Sequence, residues 1–152
     1  MSTKIVKVIG SASIDGQFVV ESQNLKIRVG KNELYPELEG ASPLEYILAG
    51  YAGCINAVGK IVAKEQEIIL KSLKVEVVAT LSLDKYQGKI SDDRAGFSAI
   101  EVLVKPIATA TTGQLVKWLN TVKERCPVHD TFLNATPIIT VLSANFNGVE
   151  SN

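Results

Sequence analysis

Cys54 and Cys126 are the two thiols of this chain, and His129 is its one histidine. A thiolate is a nucleophile, and a second thiol beside it can trap its oxidised form as a disulfide. Each candidate also has a plain structural account. A free cysteine packs as a small hydrophobe, and Cys54 stands in an apolar stretch that favours the thiol over the thiolate. It lies twelve residues past Ser42, roughly 18 Å along a helix and out of range of the helix dipole. A reactive Cys54 therefore needs a cation from elsewhere. Cys126 ends an apolar stripe, flanked by Arg125, Pro127 and His129. Arg28 alternates with Ile27 and Val29 along a strand, the place of a solvated arginine. Glu45 completes a Ser-x-x-Glu capping box with Ser42. Two Cys and one His are too few for an ordinary structural zinc site, and no Cys-x-x-Cys, phosphate loop or dinucleotide fingerprint is present. Neither a metal nor a cofactor is expected.

The elements that must position these groups are legible from periodicity. Ile5, Val6, Val8 and Ile9 suggest a first strand. Asp15-Gly16 and Gln23-Asn24 mark turns around strands at 18–21 and 25–29, giving a small antiparallel meander. Ser42 to Glu65 is the central helix, started by the capping box with Pro43 in the first position. Leu44, Ile47, Leu48, Tyr51, Ile55 and Val58 go all round the helical wheel, as in a buried helix. Gly50, Gly53 and Gly59 each cost about 1 kcal/mol of helix propensity, so close-packed backbone is expected against them. Leu73 to Leu83 and Phe97 to Lys105 alternate and pair as a long hairpin. Thr111 or Thr112 caps a second helix whose stripe is Leu115, Trp118, Leu119 and Val122, with Cys126 extending it inward. Val128 to Leu133 forms one further turn, and Ile138 to Leu142 a last strand. The sum is an α+β sandwich of helix on sheet.

The chain has 152 residues, with sixteen basic and sixteen acidic side chains. That length fits one domain, residues 1–152, which buries roughly 70% of its unfolded surface and needs no disulfide staple. The balanced charge suggests no nucleic-acid surface and no anionic membrane surface. The uncharged run of the central helix is short for a membrane span. The N-terminal residues alternate and lack the apolar core of a signal peptide, so a reducing, cytoplasmic setting with free thiols is expected. An all-round apolar helix needs covering on every side, which points to a homodimer.

The run Ser42-Pro43-Leu44-Glu45-Tyr46-Ile47-Leu48-Ala49-Gly50-Tyr51-Ala52-Gly53-Cys54 resembles the central helix of the OsmC/Ohr family, and Cys126-Pro127-Val128 its second cysteine motif. The order of meander, cysteine helix, long strand pair, helix, Cys-Pro and last strand also fits. The resemblance implies an OsmC-like α+β fold, with antiparallel sheets packed on a long buried helix. It implies an intertwined homodimer with active sites at the subunit interface. It implies thiol-dependent reduction of organic hydroperoxides, with hydrogen peroxide as a further substrate in some members. Cys54 would be the peroxidatic thiol, Cys126 the resolving thiol, and a dithiol, often a lipoyl group on a protein, the reductant. Family members use an arginine to hold the thiolate and a glutamate to hold the arginine. Ile14 stands at the Ohr-type arginine position, and Arg28 matches the OsmC-type position. Ser42-Pro43-Leu44-Glu45 replaces Asn-Pro-Glu, which moves the glutamate by one residue; Glu37 is another candidate. His129-Asp130 replaces the frequent Ser-Lys. Two rival readings remain: a family fold with weak peroxidase activity that binds an apolar ligand or runs another thiol reaction, and a purely structural dimer.

Overall fold

The computed structural model describes residues 2–12 and 14–143. Three antiparallel strands come first: β1 (Ile9–Ala12), β2 (Phe18–Ser22) and β3 (Leu25–Val29), in the order β1-β2-β3. The first strand starts at Ile9 rather than Ile5. Its register is set by the Asp15-Gly16 turn, which pairs Ile9 with Glu21. β2 ends one residue later at Ser22, opposite Val8, so Ile5 and Val6 lie beyond its end, and all three stay exposed.

Residues 30–41 fold back on themselves. The Gly30 N–H donates to the Ala41 carbonyl, and the Gly40 N–H to the Gly30 carbonyl, each at 2.9 Å. Two glycines permit this closure. Gly30 has φ +82°, and a Cβ on Gly40 would lie 1.8 Å from the Arg28 carbonyl oxygen. The loop thereby returns the chain to β3, and the Tyr46 hydroxyl donates to the Arg28 carbonyl at 2.8 Å.

α1 (Pro43–Glu65) starts as its sequence dictates. The Ser42 Oγ accepts from the Glu45 N–H, and the Glu45 carboxylate accepts from the Ser42 N–H. By length and composition alone α1 matches a membrane span. Its packing against β4 (Ile69–Thr80), α2 (Thr112–Arg125) and α3 (Pro127–Leu133) makes it a core helix instead. β4 pairs with β5 (Ala99–Thr109), and Leu73, Val75, Val77, Ile100, Val102 and Val104 turn toward the core. Both strands run longer toward the helices than alternation alone suggests. An irregularity between Leu70 and Ser72 shifts the period there. Pro106 is tolerated because each strand of a two-stranded sheet is an edge.

The core gathers Tyr51, Ile55, Val62, Ala63 and Ile68 against Trp118, Val122 and Cys126. Trp118 is 1% exposed, and its indole N–H donates to the Gly59 carbonyl at 2.9 Å. That bond satisfies the one polar atom of a large buried ring.

Three expectations are not met within the single chain. α1 is not covered all round. Leu44, Ile47 and Ile61 are exposed, and a Cβ on Gly50 or Gly53 would meet nothing within 4 Å. Only Gly59 of the three helix glycines is packed, and against the Trp118 ring rather than backbone. The strand expected at Ile138–Leu142 is also absent. Ile138 and Ile139 are 84% and 89% exposed, and among the described residues no strand pairs with the segment leaving α3. The N-terminal sheet likewise has no close packing against α1, α2 or α3 comparable to theirs with one another.

Candidate active site

Cys54 lies on the face of α1 that carries Tyr51, Ile55 and Val58 into the core. Cys126 sits at a break. It is the last cap of α2 and the first cap of α3, with φ −80° and ψ 111°. Pro127 then opens α3, where its fixed φ suits the first helical position. The break turns the Cys126 side chain inward, to 1% exposure, while Cys54 stays half-buried. The Cys126 thiol donates to the Cys54 sulfur at 3.0 Å, and the His129 N–H donates to the Cys126 sulfur at 3.5 Å. Burial and the proton shared with Cys54 push the Cys126 thiol up, against a smaller downward pull from the His129 N–H. Cys126 therefore holds its proton, and the more accessible sulfur of the pair is Cys54.

A second pair sits on the same two helices. Tyr51 is one turn before Cys54, and His129 one turn after Cys126. The Tyr51 hydroxyl and His129 Nδ1 share a hydrogen bond of 2.5 Å. The Phe132 ring packs on Tyr51 with centroids 5.1 Å apart. Burial raises the Tyr51 phenol, and the nearby Cys126 and Cys54 sulfurs add to the rise. Burial lowers His129, and Lys123 lowers it further, against an opposing pull from Asp130. His129 is thus a neutral base at neutral pH. Tyr51, Cys126 and His129 line a cavity of about 290 Å³ whose other walls include Ile55, Val102 and Leu119. A neighbouring cavity, also about 290 Å³, shares Tyr51 and His129 and adds Arg94 and Phe97. The arrangement is two thiols in contact, a phenol–imidazole pair beside them, and an apolar wall. Among the described residues no group of three His, Cys, Asp or Glu side chains could hold a metal ion.

Residues 30–141 match the OsmC-like protein family. The chain belongs to that family. An OsmC-like protein from Mycoplasma pneumoniae has a similar structure, with TM-score 0.74 and 20% identity over 87% of this chain and 89% of that one. A protein from Psychrobacter arcticus assigned to the osmotic stress-induced and detoxification response gives 0.61 and 17%, over 85% and 89%. An organic hydroperoxide resistance protein OsmC from Legionella pneumophila gives 0.55 and 17%, over 86% and 90%. At these identities the likeness shows a common fold. No curated protein matches the chain.

The OsmC-like fold brings Cys54 and Cys126 together and leaves the other expected residues apart from them. Arg28 is exposed on β3, and its guanidinium donates to the Glu37 backbone carbonyl at 3.2 Å, not to either sulfur. It lines a different cavity, with Asp15, Val19 and Leu38. Glu45 is committed to the capping box. The Ser42 N–H on its carboxylate holds it below the usual carboxylate range, with help from the Ser42 side chain. Glu37 meets Arg28 through its backbone alone, and Ile14 is exposed at the first turn. Sequence reading missed the pairing of Tyr51 with His129 and the place of Arg94 beside them. A signal for the pair was present: each member stands three positions from a cysteine, the spacing that shares a helix face.

Proposed function

We propose that this OsmC-like protein reduces organic hydroperoxides through Cys54 and Cys126. The observation that carries the reading is the 3.0 Å contact between the two sulfurs, one half-buried and one buried. In the reaction the Cys54 thiolate attacks the outer oxygen of the peroxide. A sulfur–oxygen bond forms, the O–O bond breaks, and the alkoxide takes up a proton and leaves as an alcohol. Cys54 is then a sulfenic acid. Cys126 attacks its sulfur, giving a disulfide and water before further oxidation to sulfinic acid. An external dithiol, of the kind a lipoyl carrier provides, exchanges with the disulfide and restores both thiols. The walls of Ile55, Val102, Val104 and Leu119 suit an organic hydroperoxide better than hydrogen peroxide.

The working unit in this reading is a homodimer. The open face of α1, the unpaired Ile138–Leu142 segment and the loosely attached N-terminal sheet are three surfaces that one chain leaves uncovered. In this reading intertwining covers them together and supplies the thiols with a cation from the second copy. Arg28 of the partner subunit is then the cation that holds the Cys54 thiolate.

Purified protein with a dithiol reductant and cumene hydroperoxide tests the reading. Peroxide is expected to be consumed catalytically, faster than hydrogen peroxide, and Cys54→Ser to abolish the turnover. Consumption that survives Cys54→Ser, or none by the unaltered protein, overturns it.

A further inference from the structure

Resolution of a sulfenic acid by Cys126 poses a proton problem. Cys126 is buried and protonated, so it is a poor nucleophile until a base takes its proton. The hydroxide it displaces from Cys54 then needs a proton to leave as water. A phenol that feels the Cys126 sulfur electrostatically shares its cavity. Tyr51, Cys126 and His129 face one cavity, and Tyr51 Oη is hydrogen-bonded to His129 Nδ1 at 2.5 Å. Resting on the peroxidase reading above, we infer that Tyr51 and His129 form a proton relay for the resolving step.

The balance is closed. With Nδ1 unprotonated, His129 accepts from the Tyr51 hydroxyl, and a phenol lone pair is left for the Cys126 proton. As Cys126 attacks, its proton passes to Tyr51 Oη while the phenol proton passes to Nδ1. The new bond joins Cys126 and Cys54, and the sulfur–oxygen bond of the sulfenic acid breaks. The relay then runs backward and the same proton converts the departing hydroxide to water. No outside oxidant or acid enters this step. The ring contact of Phe132 with Tyr51 holds the phenol in place, and the position of His129 on the first turn of α3 ties the imidazole to the Cys126 cap.

Charged groups around the imidazole come from each element packed on it. Asp130 is its neighbour on α3, Lys123 lies on α2, Tyr51 is on α1, and Arg94 comes from the loop between β4 and β5. Lys123 and burial keep His129 in the neutral form that can accept a proton. A general base of this kind contributes on the order of 10²–10⁴-fold to a proton-transfer step.

The test separates the two chemical steps in one turnover. Sulfenic acid at Cys54 is read by trapping with a carbon nucleophile such as dimedone, and disulfide formation by mass after acid quench. Tyr51→Phe and His129→Gln are each expected to slow disulfide formation about 10²-fold, at least ten times more than they slow sulfenic acid formation, and to raise sulfinic acid at Cys54. Their resolving rates should rise in proportion to hydroxide across neutral pH, where the unaltered protein is nearly flat, because solvent hydroxide then replaces the relay. The double variant should be no slower than either single one, since both remove the same path. Equal slowing of both steps, or variant pH profiles parallel to the unaltered protein, overturns the relay while leaving the peroxidase reading intact. Failure of the unaltered protein to form any sulfenic acid overturns both. His129→Gln is half-buried and leaves Tyr51 packed, so it reports even where Tyr51→Phe folds poorly.

Discussion

The Cys126 sulfur lies 3.0 Å from the Cys54 sulfur, although the residues are 72 positions apart in sequence. A disulfide requires the sulfurs to close by only about 1 Å. The closing movement falls on Cys126, which joins two helices with extended backbone rather than lying inside either. Mild peroxide is therefore expected to give an intrachain Cys54–Cys126 disulfide that dithiols reverse. Cys126→Ser should react once and proceed to sulfinic acid at Cys54, since nothing traps the sulfenic acid. Cys54→Ser should leave Cys126 reduced. Mass spectrometry of treated protein decides it, and two free thiols after treatment would sink the pairing.

The geometry at the thiols depends on how α2 is seated on α1, and Trp118 sets that seat through Gly59. Trp118→Ala should cost about 3–5 kcal/mol as a large core truncation. Gly59→Ala should cost about 1–3 kcal/mol by overpacking, because its Cβ would stand 3.0 Å from the Trp118 ring. Urea unfolding followed by far-ultraviolet circular dichroism measures both, since Trp118 is the chain's one tryptophan. A neutral Gly59→Ala would mean that α2 can shift on α1 without loss.

Most of the framework was legible because it rests on local rules. The capping box at Ser42 and Glu45, the two hairpin turns and the stripe through Trp118 and Val122 each specify their element without tertiary help. What sequence could not supply was which surface faces which. Cys54 and Cys126 read singly are packing residues, and only the fold makes them a pair. Arg28 matched a motif position, yet within its own chain its guanidinium donates to the Glu37 carbonyl and reaches neither sulfur. Ile138 to Leu142 carry a sound strand pattern, but a strand exists only where a second strand receives it, and among the described residues none pairs with this segment.

Glu45 makes a pH prediction. Its carboxyl is held below the ordinary range in the folded protein by the Ser42 N–H, chiefly, and the Ser42 side chain. A depressed carboxylate contributes stability above its unfolded value, and that stability is lost as pH falls through the folded one. The capping box should therefore weaken below about pH 4. Glu45→Gln should melt with a shallower acid dependence than the unaltered protein, while activity at neutral pH tracks helix stability rather than thiol chemistry. A sharp loss of Cys54 alkylation at neutral pH in Glu45→Gln would return Glu45 to the site.

A homodimer would bury surfaces that the single chain leaves open. Ile139 is 89% exposed in the single chain, and Gly50 faces open space on α1. Burying an isoleucine side chain stabilises by about 1.5–3 kcal/mol, so the segment should seek an edge in a second copy. The protein is expected to sediment as a dimer at micromolar concentration. Ile139→Asp should shift it toward monomer. Gly50→Ala, which would gain about 1 kcal/mol of helix propensity on an open face, should instead lose stability where a partner's backbone lies close. If Arg28 of the partner subunit holds the Cys54 thiolate, Arg28→Ala and Ile139→Asp should each slow alkylation of Cys54 at neutral pH by about tenfold. Their combination should slow it no further, because both remove one cation. A monomer that alkylates at the unaltered rate would refute the shared site, and it would leave Arg94, beside Tyr51 and His129 in the same chain, as the cation to test next.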